Sequence, residues 1–152
     1  MQLSIVAIGK GRALPENALA KNWLSRLKPA GQIIEIVSKL PDGPKRREDE
    51  AQRLLRAIPD GAALAVLDPR GKDYSSEEFA ALIGKWRDEG FGLAFFAIGG
   101  ADGHANILRQ KANHTIALGR ATWPHMLFRA MLAEQLYRAH TILAGHPYHR
   151  DN

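Results

Sequence analysis

Five short apolar runs, separated by stretches with helical periodicity, constrain the fold of this chain more than any other feature. The runs are residues 3–8, 32–37, 63–68, 92–98 and 114–119, with the sequences LSIVAI, QIIEIV, ALAVLD, GLAFFAI and HTIALG. Each is bounded by glycine, proline or charged residues, as buried strands are. Strands that are apolar on both faces and alternate with helices favour a parallel sheet. The sequence therefore predicts an α/β fold, with a mainly parallel sheet and helices on both of its faces.

The segments between the runs carry helix signals. Apolar residues recur at helical spacing from Ala51 to Ile58, and Ser75 followed three residues later by Glu78 is the pattern of a capping box. The charge run at 41–50, PDGPKRREDE, is expected to lead into the second helix rather than to separate domains. No repeat or linker interrupts the chain, so we expect residues 1–152 to form a single domain.

The last helix is predicted to be the longest. It should begin after Trp123 and Pro124, run to about Ala144, and stop at Gly145. Its apolar residues are spread more widely than the stripe of an ordinary surface helix. Such a helix either packs on the sheet and on a second subunit, which would make the protein a homodimer, or lies in the centre of the core.

The basic surplus of the chain lies in its C-terminal third. Residues 104–152 hold 6 Lys and Arg against 2 Asp and Glu, whereas residues 1–103 hold 15 against 14. All 6 histidines also lie in that third. Contacts with polyanions, or proton transfer, are therefore expected there. The alternative is a solvated basic face with histidines in packing roles.

Several classes of protein are disfavoured by composition. With 0 cysteines the chain has no disulfide, no thiolate metal site and no cysteine nucleophile. No apolar run approaches the roughly 18 residues of a membrane span, and the beginning, MQLSIVAIGKGR, lacks the features of a secretory signal. We expect a cytoplasmic protein without a membrane segment.

Ligands of open α/β sheets bind at the carboxyl ends of the strands, so the segments that follow the strands matter most. Three are candidates: LDPRGKD at 67–73, the glycine-rich turn IGGADGHA at 98–105, and GRATWPH at 119–125. A glycine-rich turn lets bare backbone approach a ligand. Neither G-x-G-x-x-G nor G-x-x-x-x-G-K-[ST] occurs, which disfavours a nicotinamide or ATP enzyme.

Other chemistries have weaker support. His146 and His149 form an H-x-x-H pair, but zinc requires three or four converging ligands, so no metal site is predicted. The G-x-S-x-G elbow of serine hydrolases does not occur. Asp68, at a strand end, is either a catalytic carboxylate or, more often for such a residue, the cap of a turn.

Together, LDPRGK, FAIGGADG and the long block ATWPHMLFRAMLAEQLYRAHTILAGHPYHR resemble the RlmH family of 23S rRNA pseudouridine N3-methyltransferases, minimal members of the SPOUT superfamily. The resemblance covers the whole length and includes the N-terminal LSIVAIGK. It implies an α/β sheet with a C-terminal trefoil knot, an exception to the rarity of knots. It also implies a homodimer and an S-adenosylmethionine pocket within the knot.

The resemblance implies which residues bind this cofactor. They are Leu67, Gly100, Gly119, Arg120, Ala121, Thr122, Trp123 and Pro124. Family members commonly read S-x-M-T-x-P-H where this chain has residues 119–125, so a serine and a methionine are replaced by Gly119 and Ala121. Contacts made by backbone groups survive such changes more easily than contacts made by side chains.

The closing residues carry the candidate chemistry. Methylation at N3 of a pseudouridine requires the imide nitrogen to lose its proton, so a base or a group that stabilises the anion is needed. His149 and Arg150 are the candidates, with Tyr148 as a base-stacking or hydroxyl partner. The tail would be held near the cofactor, either within one subunit or across the dimer. The alternative is that the tail only packs down the C-terminus.

The resemblance also implies the partner. The target would be large-subunit ribosomal RNA on the assembled ribosome, read by the catalytic dimer itself, because no separate RNA-binding module fits within 152 residues. The other reading is a noncatalytic RNA-binding or ribosome-binding α/β protein that retains the fold.

Overall fold

Strands and helices alternate along the whole chain. The fold is that of a computed structural model, which describes residues 1–100 and 103–150. Within these residues the order is β1 (Gln2–Ile8), α1 (Pro15–Ser25), β2 (Ile33–Ile36), α2 (Pro44–Ala57), β3 (Ala63–Asp73), α3 (Ser76–Asp88), β4 (Leu93–Ile98), α4 (Asn106–Lys111), β5 (His114–Ala117) and α5 (His125–Leu143). The five predicted strands are all confirmed, each with its boundaries shifted by a few residues.

The strands form one parallel sheet in the order β2-β1-β4-β3-β5. In the register of β1, Ile5 pairs with Ile33 of β2 and with Phe96 of β4. A parallel pair needs a crossover connection, and a helix follows each strand. The prediction of a mainly parallel α/β sheet is confirmed.

The apolar residues of each strand divide between two cores. In β1, Leu3, Ile5 and Ala7 pack on one face beneath α1, α3 and α5, while Val6 and Ile8 pack on the other beneath α2 and α4. This alternation follows from the period of two in an extended chain. Helices therefore cover both faces, as the apolar runs predicted.

The predicted helix ends are also found. At the start of α3 the Ser75 hydroxyl accepts from the Glu78 N–H at 3.1 Å, and Glu78 Oε2 accepts from the Ser75 N–H at 2.8 Å. The last helix begins at His125, directly after Pro124, and its end is followed by Gly145 at φ +67°. Glycine suits this left-handed position because it has no Cβ.

The prediction that LDPRGKD lies outside the third strand is wrong, because β3 continues to Asp73. Both Leu67 and Lys72 pair with Ile116 of β5, so the intervening residues bulge out of the ladder before pairing resumes. A Cβ on Gly71 would lie 2.7 Å from backbone atoms of Ile116, closer than real Cβ atoms come. Glycine is therefore required for the strand to return to the sheet.

None of the helices in the described part of the chain is long and apolar enough to cross a membrane. The single domain of residues 1–152, the trefoil knot and the homodimer remain predictions.

Candidate functional site

A cavity of about 480 Å³ opens at the bulge of β3 and at the carboxyl ends of β4 and β5. Its described lining consists of residues 67–69, 98–100, 103–104, 116–119 and 121–123, together with His125 and Phe128 of α5. The volume falls within the roughly 300–1,000 Å³ typical of small-molecule sites. The three segments singled out in the sequence thus meet at one place.

Most of the residues that the resemblance implied for cofactor binding line this cavity. They are Leu67, Gly100, Gly119, Ala121, Thr122 and Trp123. Arg120 and Pro124 belong to the same segment but are not among the described lining residues. Pro124 instead precedes the first turn of α5. Residues 101 and 102 of the glycine-rich turn lie outside the described residues.

The glycine-rich turn brings bare backbone to the cavity. The Gly103 N–H donates to the Gly100 carbonyl at 3.0 Å, and Gly103 has φ +75°. A Cβ on Gly99 would lie 3.0 Å from the Gly103 carbonyl carbon, and one on Gly100 would lie 3.3 Å from Ile8 Cγ2. The turn therefore leaves almost no room for side chains at 99 and 100, and backbone groups form this wall.

His104 forms part of the cavity wall, and its imidazole ring is neutral. It is 4% exposed, and its Nε2–H donates to the Ala97 carbonyl at 3.1 Å. Burial is the main cause that lowers its pKa to about 4, so the ring carries no charge at neutral pH. Its own carbonyl accepts from Arg109 Nη2 at 2.7 Å. Its contacts are thus those of a structural histidine rather than of a base.

Asp68 holds the bulge of β3 in place. Its Oδ1 accepts from the Arg70 N–H at 2.9 Å, and Arg70 Nη2 lies 3.0 Å from Oδ2. Arg109 Nε lies 3.3 Å from the same Oδ2. The hydrogen bond from the Arg70 side chain is the main cause that lowers the pKa of Asp68 to about 2. Of the two readings of Asp68, this geometry favours the turn cap.

Sequence reasoning missed a buried polar network behind the glycine-rich turn. Arg129 is 0% exposed, and its Nη1 lies 3.0 Å from Glu35 Oε1. Its Nη2 donates to the Gly9 carbonyl at 2.8 Å, and its Nε donates to His125 Nε2 at 3.0 Å. The only sequence signal was one arginine within an apolar helix, which normally indicates a side chain that reaches solvent.

His125 joins this network to the cavity. Burial first, and then the charge of Arg129, lower its pKa, while a hydrogen bond to the Gly99 carbonyl has the opposite effect. Because Nε2 accepts from Arg129, it has no lone pair left for a substrate proton. The side chain therefore positions the cavity wall.

The C-terminal tail packs on the helices. The Tyr148 ring lies 5.0 Å from that of Tyr137 and 5.9 Å from that of Trp23. Its hydroxyl donates to Glu134 Oε1 at 2.9 Å. Burial first, and then Glu134, raise the pKa of Tyr148, so the hydroxyl keeps its proton and remains a donor.

The other two candidate residues of the tail, His149 and Arg150, have different kinds of contacts. His149 contacts Glu77 Oε1 through Nε2 at 2.7 Å and Arg138 Nη1 through Nδ1 at 3.1 Å. The exposed Arg150 donates from Nε to the Pro147 carbonyl at 3.3 Å. Of the H-x-x-H pair, His146 accepts from a backbone N–H through Nδ1 instead. No group of three or more potential metal ligands occurs in residues 1–100 and 103–150.

A second groove connects the tail with the cavity. We call it the α5 groove; its volume is about 530 Å³, and it is lined by Leu19, Trp23, Tyr74, Ser75, Ser76, Leu118, Gly119, Leu127, Ala130, Met131, Glu134 and Gln135. Trp23 and Glu134 contact the tail, whereas Leu118 and Gly119 also line the cavity. The groove therefore shares lining residues both with the contacts of Tyr148 and with the cavity.

The arrangement suits a ligand held by backbone and apolar groups. The cavity lining described here contains no lysine or arginine, and its two histidines are kept neutral by burial. A ligand with a cationic centre would therefore meet no like charge in this lining.

Comparisons with known proteins identify the family of the chain. The model of the family described as predicted SPOUT methyltransferases matches residues 1–149. A relative from Paramagnetospirillum magneticum is 48% identical over 151 residues, and one from Brucella anthropi is 46% identical over 159 residues. Both alignments cover 99% of each chain, and both relatives are named ribosomal RNA large subunit methyltransferase H.

A solved structure supports the fold independently. It is described as a probable methylase family protein from Haemophilus influenzae Rd KW20, and it superposes with a TM-score of 0.59 at 10% identity. The match covers 99% of this chain and 71% of that chain, and at such low identity it bears on the fold alone. With the family model matched over nearly the whole chain and relatives above 45% identity over full length, the chain belongs to the SPOUT methyltransferase family, among the relatives named ribosomal RNA large subunit methyltransferase H.

Proposed function

We propose that this protein is an S-adenosylmethionine-dependent methyltransferase that methylates N3 of a pseudouridine in 23S ribosomal RNA on the assembled ribosome, in the cytoplasm. The observation that carries the proposal is the cavity at the carboxyl edge of the sheet, built in a SPOUT-family chain from the segments that follow β4 and β5 and from the bulge of β3. The names of the full-length relatives support large-subunit ribosomal RNA as the substrate.

The lining fits S-adenosylmethionine. Leu67, Ile98 and Ile116 supply apolar surface for an adenine ring, and the backbone of the glycine-rich turn and of residues 119–123 supplies hydrogen-bonding groups. Neutral His104 and His125 place no positive charge near a sulfonium. When bound, this cofactor supplies an electrophilic methyl group. The departures at Gly119 and Ala121 change side chains but leave the backbone groups in the lining.

The protein must then orient the pseudouridine and manage the proton on its N3. We assign proton uptake to the His149 imidazole, stabilisation of the anion or a phosphate contact to Arg150, and base stacking to Tyr148. In the described arrangement His149 Nδ1 faces Arg138 Nη1 at 3.1 Å. A proton can therefore be taken up at Nδ1 only after this contact opens, which would couple the proton transfer to movement of Arg138.

A homodimer explains how the tail reaches a cavity. The α5 groove has exposed apolar residues at its rim, with Leu19 46% and Leu127 37% exposed, and the neighbouring Trp123 is 41% exposed. We propose that a second copy covers this surface, and that the tail of one copy approaches the cavity of the other. Burial of large apolar side chains is the usual driving force for such an interface.

Transfer of labelled methyl groups tests the function. Purified ribosomes that lack the modification are incubated with the protein and labelled S-adenosylmethionine, and the product is mapped by mass spectrometry. Label on N3 of one large-subunit pseudouridine is the expected result. A matched reaction uses ribosomes in which that uridine has not been isomerised, and these should accept little label.

A different outcome would change the reading. If the protein binds ribosomes but transfers no label, and shows no affinity for S-adenosylmethionine by calorimetry, the noncatalytic ribosome-binding alternative replaces the enzyme. If label appears on a base other than a pseudouridine, the family activity stands and the proposed target is wrong.

A further inference from the structure

The loop between β1 and α1, residues 9–14, lies beside the cavity. It follows Ile8, the last residue of β1, and a Cβ on Gly100 would lie 3.3 Å from Ile8 Cγ2. The Gly9 carbonyl and the His125 ring are bound by the same guanidinium, that of Arg129. The buried Arg129 side chain therefore bridges this loop and the wall of the cavity.

Buried polar groups fix the conformation of this β1–α1 loop. Glu35 Oε1 accepts from the Gly11 N–H at 2.9 Å and also binds Arg129 Nη1 at 3.0 Å. Asn17, 2% exposed, donates from Nδ2 to the Arg12 carbonyl at 3.3 Å. Contacts with Glu35 of β2, Arg129 of α5 and Asn17 of α1 thus fix a loop of only six residues. The loop is thus ordered before any ligand arrives.

The loop also contains backbone strain. Arg12 has φ +50°, the one such non-glycine residue within the described chain. A residue held in this region costs on the order of 1–3 kcal/mol, and such strain clusters at functional sites. A Cβ on Gly11 would lie 2.3 Å from Asn17 Cγ, so the preceding position admits only glycine. The surrounding contacts hold Arg12 in place at a cost in stability.

Both charged side chains of this loop are cationic. Lys10 and Arg12 are exposed, and neither makes an ion pair or side-chain hydrogen bond among the described residues. Two other arginines at the same edge of the sheet are neutralised, Arg46 by Asp42 and Glu50, and Arg70 by Asp68. The positive charge of the loop therefore remains available to an anion.

We infer that the β1–α1 loop is a preformed phosphate-binding element for the substrate RNA, in which Lys10 and Arg12 contact backbone phosphates next to the target nucleotide. This inference rests on the proposed function, because it places RNA at the mouth of the cavity. Contacts to phosphates fix the register of a nucleic acid without reading its sequence. An element ordered in advance loses less conformational entropy on binding.

The test removes both charges at once. The Lys10→Gln/Arg12→Gln variant is compared with the wild type for binding to ribosomes, measured by filter retention across a range of salt concentrations, and for the KM of methyl transfer. We expect affinity at about 0.1 M salt to fall roughly tenfold or more, and the slope of log K against log salt to become less steep by about two. Affinity for S-adenosylmethionine and the midpoint of urea unfolding should not change.

The matched control has the same change of charge at the opposite edge of the sheet. Lys28 follows α1 and Lys111 ends α4, directly before β5, and both are exposed. The Lys28→Gln/Lys111→Gln variant should bind ribosomes with nearly the wild-type slope. Equal loss in both double variants would mean that only net charge matters, and it would overturn the inference, as would an unchanged slope in the loop variant.

The binding measurement separates this inference from the proposed function. If the wild type binds ribosomes but does not methylate them, the proposed enzymatic activity is wrong. The comparison of the two double variants still tests the role of the loop in that case. If the wild type methylates normally and the loop variant has the same affinity and KM, only the inference about the loop is overturned. A wild type that does not bind ribosomes overturns both.

Discussion

The Tyr148 hydroxyl donates a hydrogen bond to Oε1 of Glu134, the same oxygen that Arg138 Nη2 binds at 2.6 Å. Glu134 and Arg138 are one helical turn apart, and from sequence they are expected to form a surface or interface pair. The structure gives this pair another task, because the carboxylate also holds the tail against α5. Tyr148 therefore packs as the alternative reading of the tail expects, and it places His149 beside Arg138.

The first prediction concerns the hydroxyl of Tyr148. The Tyr148→Phe variant keeps the ring contacts with Trp23 and Tyr137 and loses only the hydrogen bond to Glu134. Since hydrogen bonds to charged groups contribute about 1.5–3 kcal/mol, we expect kcat for methyl transfer to fall about tenfold. Affinity for S-adenosylmethionine should stay the same.

Tyr74→Phe provides the control, because Tyr74 lines the α5 groove and its hydroxyl makes no hydrogen bond among the described residues. Wild-type turnover in Tyr148→Phe would mean that the packing of the rings alone positions the tail.

A second prediction concerns the ion pair between Glu35 and Arg129. Glu35→Gln leaves the guanidinium of a fully buried arginine without its carboxylate. Because an unpaired buried charge is costly, we expect the free energy of unfolding to fall by about 3 kcal/mol, measured by urea titration. The surface pair Arg53 and Asp49 offers the comparison, since Arg53→Gln should cost less than about 1 kcal/mol. Similar losses in the two variants would contradict the role given to the buried network.

The third prediction is a pH dependence of stability. His104 has a pKa of about 4 in the folded protein, below its usual value of 6.5, so the unfolded chain binds more protons between these values. Its contribution to the free energy of unfolding is therefore present above pH 6.5 and is lost as the pH falls towards 4. The loss amounts to at most about 3 kcal/mol. Urea unfolding at pH 7 and at pH 4.5 measures this loss.

The matched variant is His104→Gln, whose amide can still donate to the Ala97 carbonyl but does not titrate. We expect its stability to change less between the two pH values than that of the wild type. An equal change in both proteins would assign the pH dependence to other groups, such as His114, His125 and His140, whose pKa values are also lowered by burial.

A fourth prediction concerns the bulge of β3. Gly71→Ala would place a Cβ against the Ile116 backbone, and we expect it to lower the free energy of unfolding by about 1–3 kcal/mol, the usual cost of overpacking. Because Ile116 and residues 67–69 line the cavity, affinity for S-adenosylmethionine should fall as well. Gly92→Ala is the control, since a Cβ there meets nothing within 4 Å. Thermal unfolding of both variants measures the loss of stability, and calorimetric titration measures the affinity for S-adenosylmethionine.

The fifth prediction concerns the homodimer. Leu127→Glu introduces a charge at the rim of the α5 groove, and we expect it to convert a dimer into monomers and to abolish methyl transfer. Light scattering after size exclusion measures the mass. Leu40→Glu changes an equally exposed leucine, 43% against 37%, in the connection between β2 and α2, and it should leave the mass unchanged. A monomeric wild type with full activity would remove the dimer from the proposal.

Much of the fold follows from local sequence. The apolar runs of β1, β3 and β4 are continuous, and a buried parallel strand needs little else to be recognised. The ends of α3 and α5 depend on residues that act locally, the capping box at Ser75 and the glycine at 145. These features were predictable because their physical causes lie within a few residues of each other.

The site was only partly predictable, because its supports join distant parts of the chain. The preference of ligands for the carboxyl ends of parallel strands is enough to group the segments at 67–73, 98–105 and 119–125. It gives no reason for Asp68 to meet Arg109, or for Arg129 to meet Glu35, pairs that are far apart in sequence. A polar residue within a helix gives no sign of its partner, and a bulge that returns to the same strand resembles a turn.

The contacts of Arg129 also bear on the order in which the protein becomes functional during its synthesis. Its partners at Ile8 and Gly9 precede it by 121 and 120 residues, so β1 leaves the ribosomal exit tunnel long before α5 is made. Closing loops of this length is slow, and the wall at His125 cannot be completed until α5 docks. Nascent chains that stop before α5 would therefore be unable to capture the methyl donor, however well their first strands had paired.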